Sequence, residues 1–403
     1  MATVASVECL PAPTRSVPPA EAAEERLARL RLARSENVGP RTFLNLLTRF
    51  GSAERAVEAL PALAARGGRQ NYGLCARDRA ESEIARGMAA GAHLVLLGDV
   101  SYPERLAAIP NPPPALWVLG DAAALARPAI AIVGARNASA LGLRQARRLA
   151  AGLAAAGELV VSGLARGIDR AAHEAALESW GPTAAALPGG IDCVYPEEHG
   201  PLTRRIAAEG GAVLTECPPG VEPTARHFPR RNRLVSGLSD GVVIVEAAAR
   251  SGSLITARCA LEQGREVLAC PGAPEDPRAA GCNELIRDGA ALVRHVDDVL
   301  EAIAPLRRRG FSEGADEFRF DIGAFEEPSG YEDFADLDPE GAEDDSALAE
   351  QIMGLISASP VEIDELARLS GAAPAQLSLV LLELDLAGRI ALLPGSLVAA
   401  RAD

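Results

Sequence analysis

Ala129-Ile-Ala-Ile-Val-Gly-Ala-Arg136 opens the stretch that decides the fold. Five apolar residues in a row, without the alternation of a half-exposed strand, are what a strand covered on both faces requires. A helix-length segment over 141–156 follows, then an apolar run at 159–161, a helix over 168–178 and another run at 183–187. Strand-length runs at 212–214, 242–245 and 267–269 continue the alternation. Buried strands joined by helical crossovers imply an α/β fold, a Rossmann-like, doubly wound and mostly parallel sheet, placed at 128–305.

On either side the pattern changes. Residues 1–19 are proline-rich and read as a disordered leader, and 20–127 as a helical domain with a connector. Within it, Asn37-Val-Gly-Pro-Arg41 between two helical patterns has the form of a helix-hairpin-helix or SAM-like turn, able to offer backbone N–H groups to a phosphate; an ordinary helical corner fits the same residues. Residues 346–403 read as three helices and a hairpin, the plan of a winged helix, with three arginines against seven acids. That balance points this module at protein contacts before DNA.

The formal net charge of -15 argues against a nucleic-acid partner until its distribution is read. The segment 312–345 holds fourteen acids and one basic residue, Arg319, so nearly all of the excess sits in an acidic disordered linker at 306–345. That linker is expected to compete with DNA for any basic pocket. The chain has no lysine, so phosphate sites must use the planar guanidinium of arginine. No apolar run is long enough to span a bilayer. The seven scattered cysteines form no C-x-x-C pair and read as reduced, mostly buried thiols of a cytoplasmic protein, and Cys259, Cys270 and Cys282 match no zinc spacing.

Open parallel sheets bind ligands at the carboxyl ends of their strands. Here those ends carry Gly134 to Arg136, Ser162-Gly163 with Arg166-Gly167, and Ser251-Gly252-Ser253 with Thr256. Glycines that admit close backbone approach, hydroxyl donors and arginines together favour phosphate. No G-x-G-x-x-G follows the first strand and no P-loop pattern occurs, so neither a dinucleotide nor a P-loop nucleotide is indicated, and no cofactor or metal is expected. Asp169, Asp192 and Glu246 could serve as a catalytic base by position, but Asp169 reads as a helix N-terminal carboxylate and Glu246 equally well as a structural partner to an arginine. Arg226-His227-Phe228-Pro229-Arg230-Arg231-Asn232-Arg233 contains four arginines, an aromatic ring and no acid, a combination suited to a single strand whose phosphates follow a basic groove and whose bases stack.

At these residues the chain resembles the DNA-processing protein A (DprA/Smf) family. The shared motifs run in order: A-I-V-G-A-R at 131–136, V-S-G-L-A-R-G-I-D at 161–169, V-Y-P at 194–196, H-F-P-R-R-N-R at 227–233, R-S-G-S-L-I-T-A at 250–257 and G-C-N-E-L-I-R-D-G-A at 281–290. The resemblance implies a non-enzymatic single-stranded-DNA binder that protects incoming DNA in natural transformation, dimerises through its Rossmann domain and helps load a RecA-type recombinase. It maps the strand-binding pocket to Arg136, Ser162, Gly163, Arg166, Gly167, His227, Phe228, Arg230, Arg231, Asn232, Arg233, Ser251, Gly252, Ser253 and Thr256. Two departures stand out: Ala135 replaces a hydroxyl residue of the first motif, and Glu197-Glu198 follows V-Y-P where some relatives carry a basic residue. The rival reading is a Rossmann-class nucleotide phosphoribohydrolase. Pro188-Gly-Gly190 opens its motif, but the downstream Thr and Glu are missing.

Overall fold

The computed structural model describes residues 19–309, 339–357, 359–393 and 396–401. The leader and the acidic segment over 310–338, with its expected competition for DNA, lie outside the described residues.

Four helices come first: α1 (Pro19–Arg34), α2 (Pro40–Phe50), α3 (Ala53–Arg66) and α4 (Arg77–Ala89). Pro40 at the first helical position starts α2, and Gly51 at φ 72° ends it in the left-handed region open to glycine. Ser52 then caps α3 by accepting from the Arg55 N–H. The chain next makes two strands, β1 (His93–Leu96) and β2 (Ala115–Gly120), on either side of the short helix α5 (Glu104–Ala107). These strands were not expected in the connector. They pair antiparallel with each other, and Trp117 of β2 is opposite Thr215 of the main sheet. Trp117 is fully buried and donates to Glu83 of α4 at 3.0 Å, while a Cβ at Gly87 would overlap its ring. The helical part is thereby fastened to the sheet.

The core alternates β3 (Ala129–Val133), α6 (Ala140–Ala155), β4 (Leu159–Ser162), α7 (Ile168–Glu178), β5 (Thr183–Ala186), α8 (Gly200–Ala208) and β6 (Ala212–Thr215). It continues with α9 (His227–Gly237), β7 (Gly241–Ile244), α10 (Ser253–Glu262), β8 (Glu266–Ala269), α11 (Ala280–Arg287), β9 (Ala291–Leu292) and α12 (Val296–Arg309). The nine strands lie in the order β1-β2-β6-β5-β4-β3-β7-β8-β9, parallel from β6 to β9. Ala129, Ala131 and Val133 pack into one apolar layer and Ile130 and Ile132 into the other, the two-sided burial that the uninterrupted run required. The last helix passes through Pro305 to Arg309, because Arg307 closes onto the buried carboxylates of Glu158 at 2.6 Å and Asp240 at 2.7 Å. Residues 306–309 thus belong to the sheet domain and not to the linker.

The C-terminal module comprises α13 (Pro339–Leu355), β10 (Val361–Glu362), α14 (Ile363–Ser370), α15 (Pro374–Leu386), β11 (Ile390–Leu393) and β12 (Leu397–Ala400). Its first helix begins at Pro339, inside the segment read as linker. The three strands pair in the order β10-β12-β11 over a core of Ile352, Leu366, Val380, Leu384, Ile390 and Val398, a winged helix. No single helix among the described residues is long and apolar enough to cross a membrane. The helices α14 and α15 satisfy that composition only as a pair bent by 115°, with leucines filling the winged-helix core.

Candidate nucleic-acid interface

Strand order reverses at β3: the chain leaves it toward β4, β5 and β6 on one side, and β7 takes the other. The crevice expected at such a reversal lies outside the carboxyl ends of β3, β4 and β7. Its floor is backbone. Gly167, at φ 76°, starts α7 so close to β3 that a Cβ would overlap the Ala135 carbonyl, and the Ile168 N–H donates to that carbonyl at 3.2 Å. Leu164, a buried residue at φ 56°, is held by His199 Nδ1 at 2.8 Å from its carbonyl oxygen. Non-glycine residues keep such a conformation only where their surroundings enforce it. The carboxylate of Asp169 accepts from the N–H groups of Gly163 at 3.1 Å and Ala165 at 3.2 Å. Burial pushes its pKa up, and Arg231 with these N–H groups opposes the rise.

Arg231 reaches this floor from α9. Its guanidinium lies against Gly163, where any Cβ would overlap it, and only 6% of the residue is exposed. Burial holds its pKa down, with Asp169 as the favourable charge, and no carboxylate among the described residues comes within ion-pair distance. A buried guanidinium without a close counter-ion is a site that an anion would stabilise.

Above the floor, Arg136 is exposed, with its guanidinium carbon 5.2 Å from the Phe228 ring centroid. Phe228 in turn meets the edge of Tyr195 at 5.6 Å, and Tyr195 is 43% exposed. Arg230, 68% exposed, stands on the same end of α9, with Glu216 at 3.6 Å. That end has no side-chain cap; the His227 N–H donates to the Thr224 carbonyl at 2.9 Å, and Pro229 in the first turn has no N–H to offer. Together these groups make a ledge of charge and rings over a glycine-lined slot. Arg166 stands beside it, 59% exposed, in a two-pronged contact with Glu198 at 2.7 Å.

Other residues expected in the pocket are turned elsewhere. The Ser162 hydroxyl is buried and donates to the Ile132 carbonyl at 2.6 Å. Arg233 points inward to the Asn111 carbonyl at 2.6 Å and to Glu216. His227 is buried, its Nδ1 accepting from the Thr224 N–H, with burial and then Arg226 and Arg230 holding its pKa down. Asn232 is half-buried on the same turn. The hydroxyls of Ser251 and Ser253 bond each other at 2.7 Å around Gly252, and Thr256 is buried one turn further along α10. These positions shape the edge and offer few free donors.

The carboxylates considered as bases are all engaged with backbone. Glu246 has no arginine within ion-pair distance among the described residues: it accepts from the Ser139 N–H at 2.8 Å and from the Ser139 hydroxyl. Asp192 accepts from Gly220 N–H at 2.7 Å. Ser139 also caps α6 by accepting from Gly142 N–H at 2.9 Å. Ser139→Ala is therefore expected to lower stability by about 1 kcal/mol in urea unfolding, the usual scale for a lost N-cap. The residues that sequence reasoning did not assign are Tyr195, whose only signal was an aromatic beside the proline turn, and Glu198 as the partner of Arg166.

Comparison with known proteins gives three matches along the chain. The family model described as DNA recombination-mediator protein A matches residues 93–304, the DprA-like N-terminal HHH domain 23–85, and the DprA winged helix domain 337–396. The chain is 39% identical to Protein Smf of Escherichia coli over 311 residues, 77% of this chain and 78% of that one. It is 40% identical to the DNA processing protein DprA of Bacillus subtilis over 214 residues, 53% of this chain and 72% of the relative. The X-ray structure of DNA processing protein A from Streptococcus pneumoniae covers 69% of this chain and 96% of its own, at 34% identity and a TM-score of 0.57.

Proposed function

The chain belongs to the DNA recombination-mediator protein A family, and from that premise we propose that it binds single-stranded DNA along the carboxyl edge of its parallel sheet without breaking a bond in it. The observation that carries this reading is the ledge of Arg136, Phe228 and Tyr195 over a slot floored by Gly163, Gly167 and the buried Arg231. A phosphate enters the slot toward Arg231, and a base stacks on Phe228. The engagement of Asp169, Asp192 and Glu246 with backbone N–H groups supports binding over nucleotide hydrolysis.

On this reading the protein works in the cytoplasm as a homodimer joined through its Rossmann domain, shields incoming strands and passes them to a RecA-type recombinase. The family's role as a recombination mediator supports this sequence of steps. Titrating a fluorescent oligo-dT strand across a salt series, with a duplex of equal length as competitor, tests the binding step. The strand is expected to hold with a negative salt slope and to resist displacement by the duplex. Equal displacement by the duplex would reject the assignment.

A further inference from the structure

The turn between α1 and α2 and the neighbouring end of α3 gather Asn37, Arg41, Thr42 and Arg66 on one surface of the helical domain. In a helix-hairpin-helix module these amide, hydroxyl and guanidinium donors are the groups a phosphodiester would meet. All four are occupied, and every occupant comes from the winged helix. Thr42 donates its hydroxyl to the Asp385 carboxylate at 2.6 Å, Asn37 donates its amide to the Leu386 carbonyl at 3.0 Å, and Arg41 donates to the Leu393 carbonyl. Arg66 pairs with the buried carboxylate of Glu383 at 2.9 Å. The atoms that meet the four donor groups are carboxylate and carbonyl oxygens, acceptors like the oxygens of a phosphate.

The covering element is α15, which stands where a DNA-reading winged helix carries its recognition helix. Its outer face cannot play that part. Leu382 and Leu386 are buried in the same apolar cluster as Phe43, Leu46, Leu60 and Leu63, and Glu383 and Asp385 are buried between them. Glu383 and Asp385 on that face complement the hairpin donors, with Arg401 of the same module 3.5 Å from Asp385 and donating to the Asn37 side-chain oxygen at 3.0 Å.

We propose that the helical hairpin of the N-terminal domain is a second nucleic-acid site, for the phosphate backbone of duplex DNA, and that α15 covers it as an internal stand-in for that backbone. None of the four donor side chains is aromatic. Single strands are held in large part by stacking, so the hairpin is assigned to duplex. The acidic balance of the winged helix then has a physical purpose: its ligand is this chain's own phosphate-binding surface.

Two substitutions in the full chain open the contact from opposite sides. Gly67→Leu keeps an ordinary helical backbone, but a side chain there would collide with the Glu383 carbonyl and the Ala387 Cβ, leaving the winged-helix core untouched. Leu386→Asp removes the apolar anchor. Each is expected to raise amide exchange over 37–46 and 382–386 and to strengthen binding of a short blunt duplex about tenfold or more at low salt, with oligo-dT affinity changed less than about twofold. Adding Arg41→Ala to Gly67→Leu should return duplex binding to the wild-type level. Faster exchange without a gain for duplex, an equal gain for oligo-dT, or unchanged exchange in Gly67→Leu would each overturn the proposal. If Leu386→Asp fails to fold, Gly67→Leu decides alone. Loss of oligo-dT binding by the wild-type chain would instead count against the sheet-edge site and leave this one standing.

Discussion

Replacing Arg136 with alanine is expected to weaken oligo-dT binding about 30-fold near 0.1 M salt, or about 2 kcal/mol, and to flatten the salt slope by about 0.7. Two losses add. The exposed guanidinium is expected to contact a phosphate, and it also lies over the Phe228 ring at 5.2 Å, where it supports the stacking platform. Phe228→Ala separates the two contributions. It removes the ring and about 1–3 kcal/mol of stacking while leaving the phosphate contact, so affinity falls and the slope stays. Fluorescence anisotropy across a salt series reads both quantities. If Arg136→Ala keeps the wild-type affinity and slope, the strand does not run over this ledge.

The six parallel strands β3 to β8 were legible because burial on both faces writes itself into the sequence as uninterrupted apolar runs, whereas the two-residue parallel strand β9, not buried on both faces, was missed. Ala129–Val133 matches residue for residue, and the others shift by at most an end residue or two. The strands β1 and β2 were hidden for the opposite reason. His93–Leu96 is four residues long, and Ala115–Gly120 follows a proline run. Their pairing depends on β6 and on the fit of Trp117 against Gly87, contacts that no local pattern encodes.

The site was legible in residue type and not in direction. Arg230, Arg231 and Arg233 look like one undiluted charge run, but successive helical residues turn by about 100° about the axis. Arg230 consequently faces water, while Arg231 enters the glycine floor and Arg233 meets Glu216 and Asn111. Glu216 lies outside the basic stretch, so its neutralising effect appears only after folding. The charge available to DNA at this end of α9 is smaller than a linear count implies.

Glu198 makes the same point with opposite consequences. It sits where a basic residue would extend the groove, and it holds Arg166 in a two-pronged ion pair at 2.7 Å, with both side chains more than half exposed. Pairs so exposed contribute about 0–1 kcal/mol, little enough for a phosphate to replace the carboxylate. On the proposed binding reading, Glu198 competes with a phosphate for Arg166. Glu198→Gln should strengthen oligo-dT binding by roughly threefold, because Arg166 no longer has to leave a charged partner. Glu198→Arg should strengthen it about 30-fold at 0.1 M salt and steepen the slope by about 1.4, since Arg166 and the new arginine each add a phosphate contact. The gain should vanish in Glu198→Arg combined with Arg166→Ala to the extent that Arg166 carries it. An unchanged slope in Glu198→Arg would mean that the strand leaves the ledge before reaching Arg166, and the path would then run from Arg136 toward Arg230 alone.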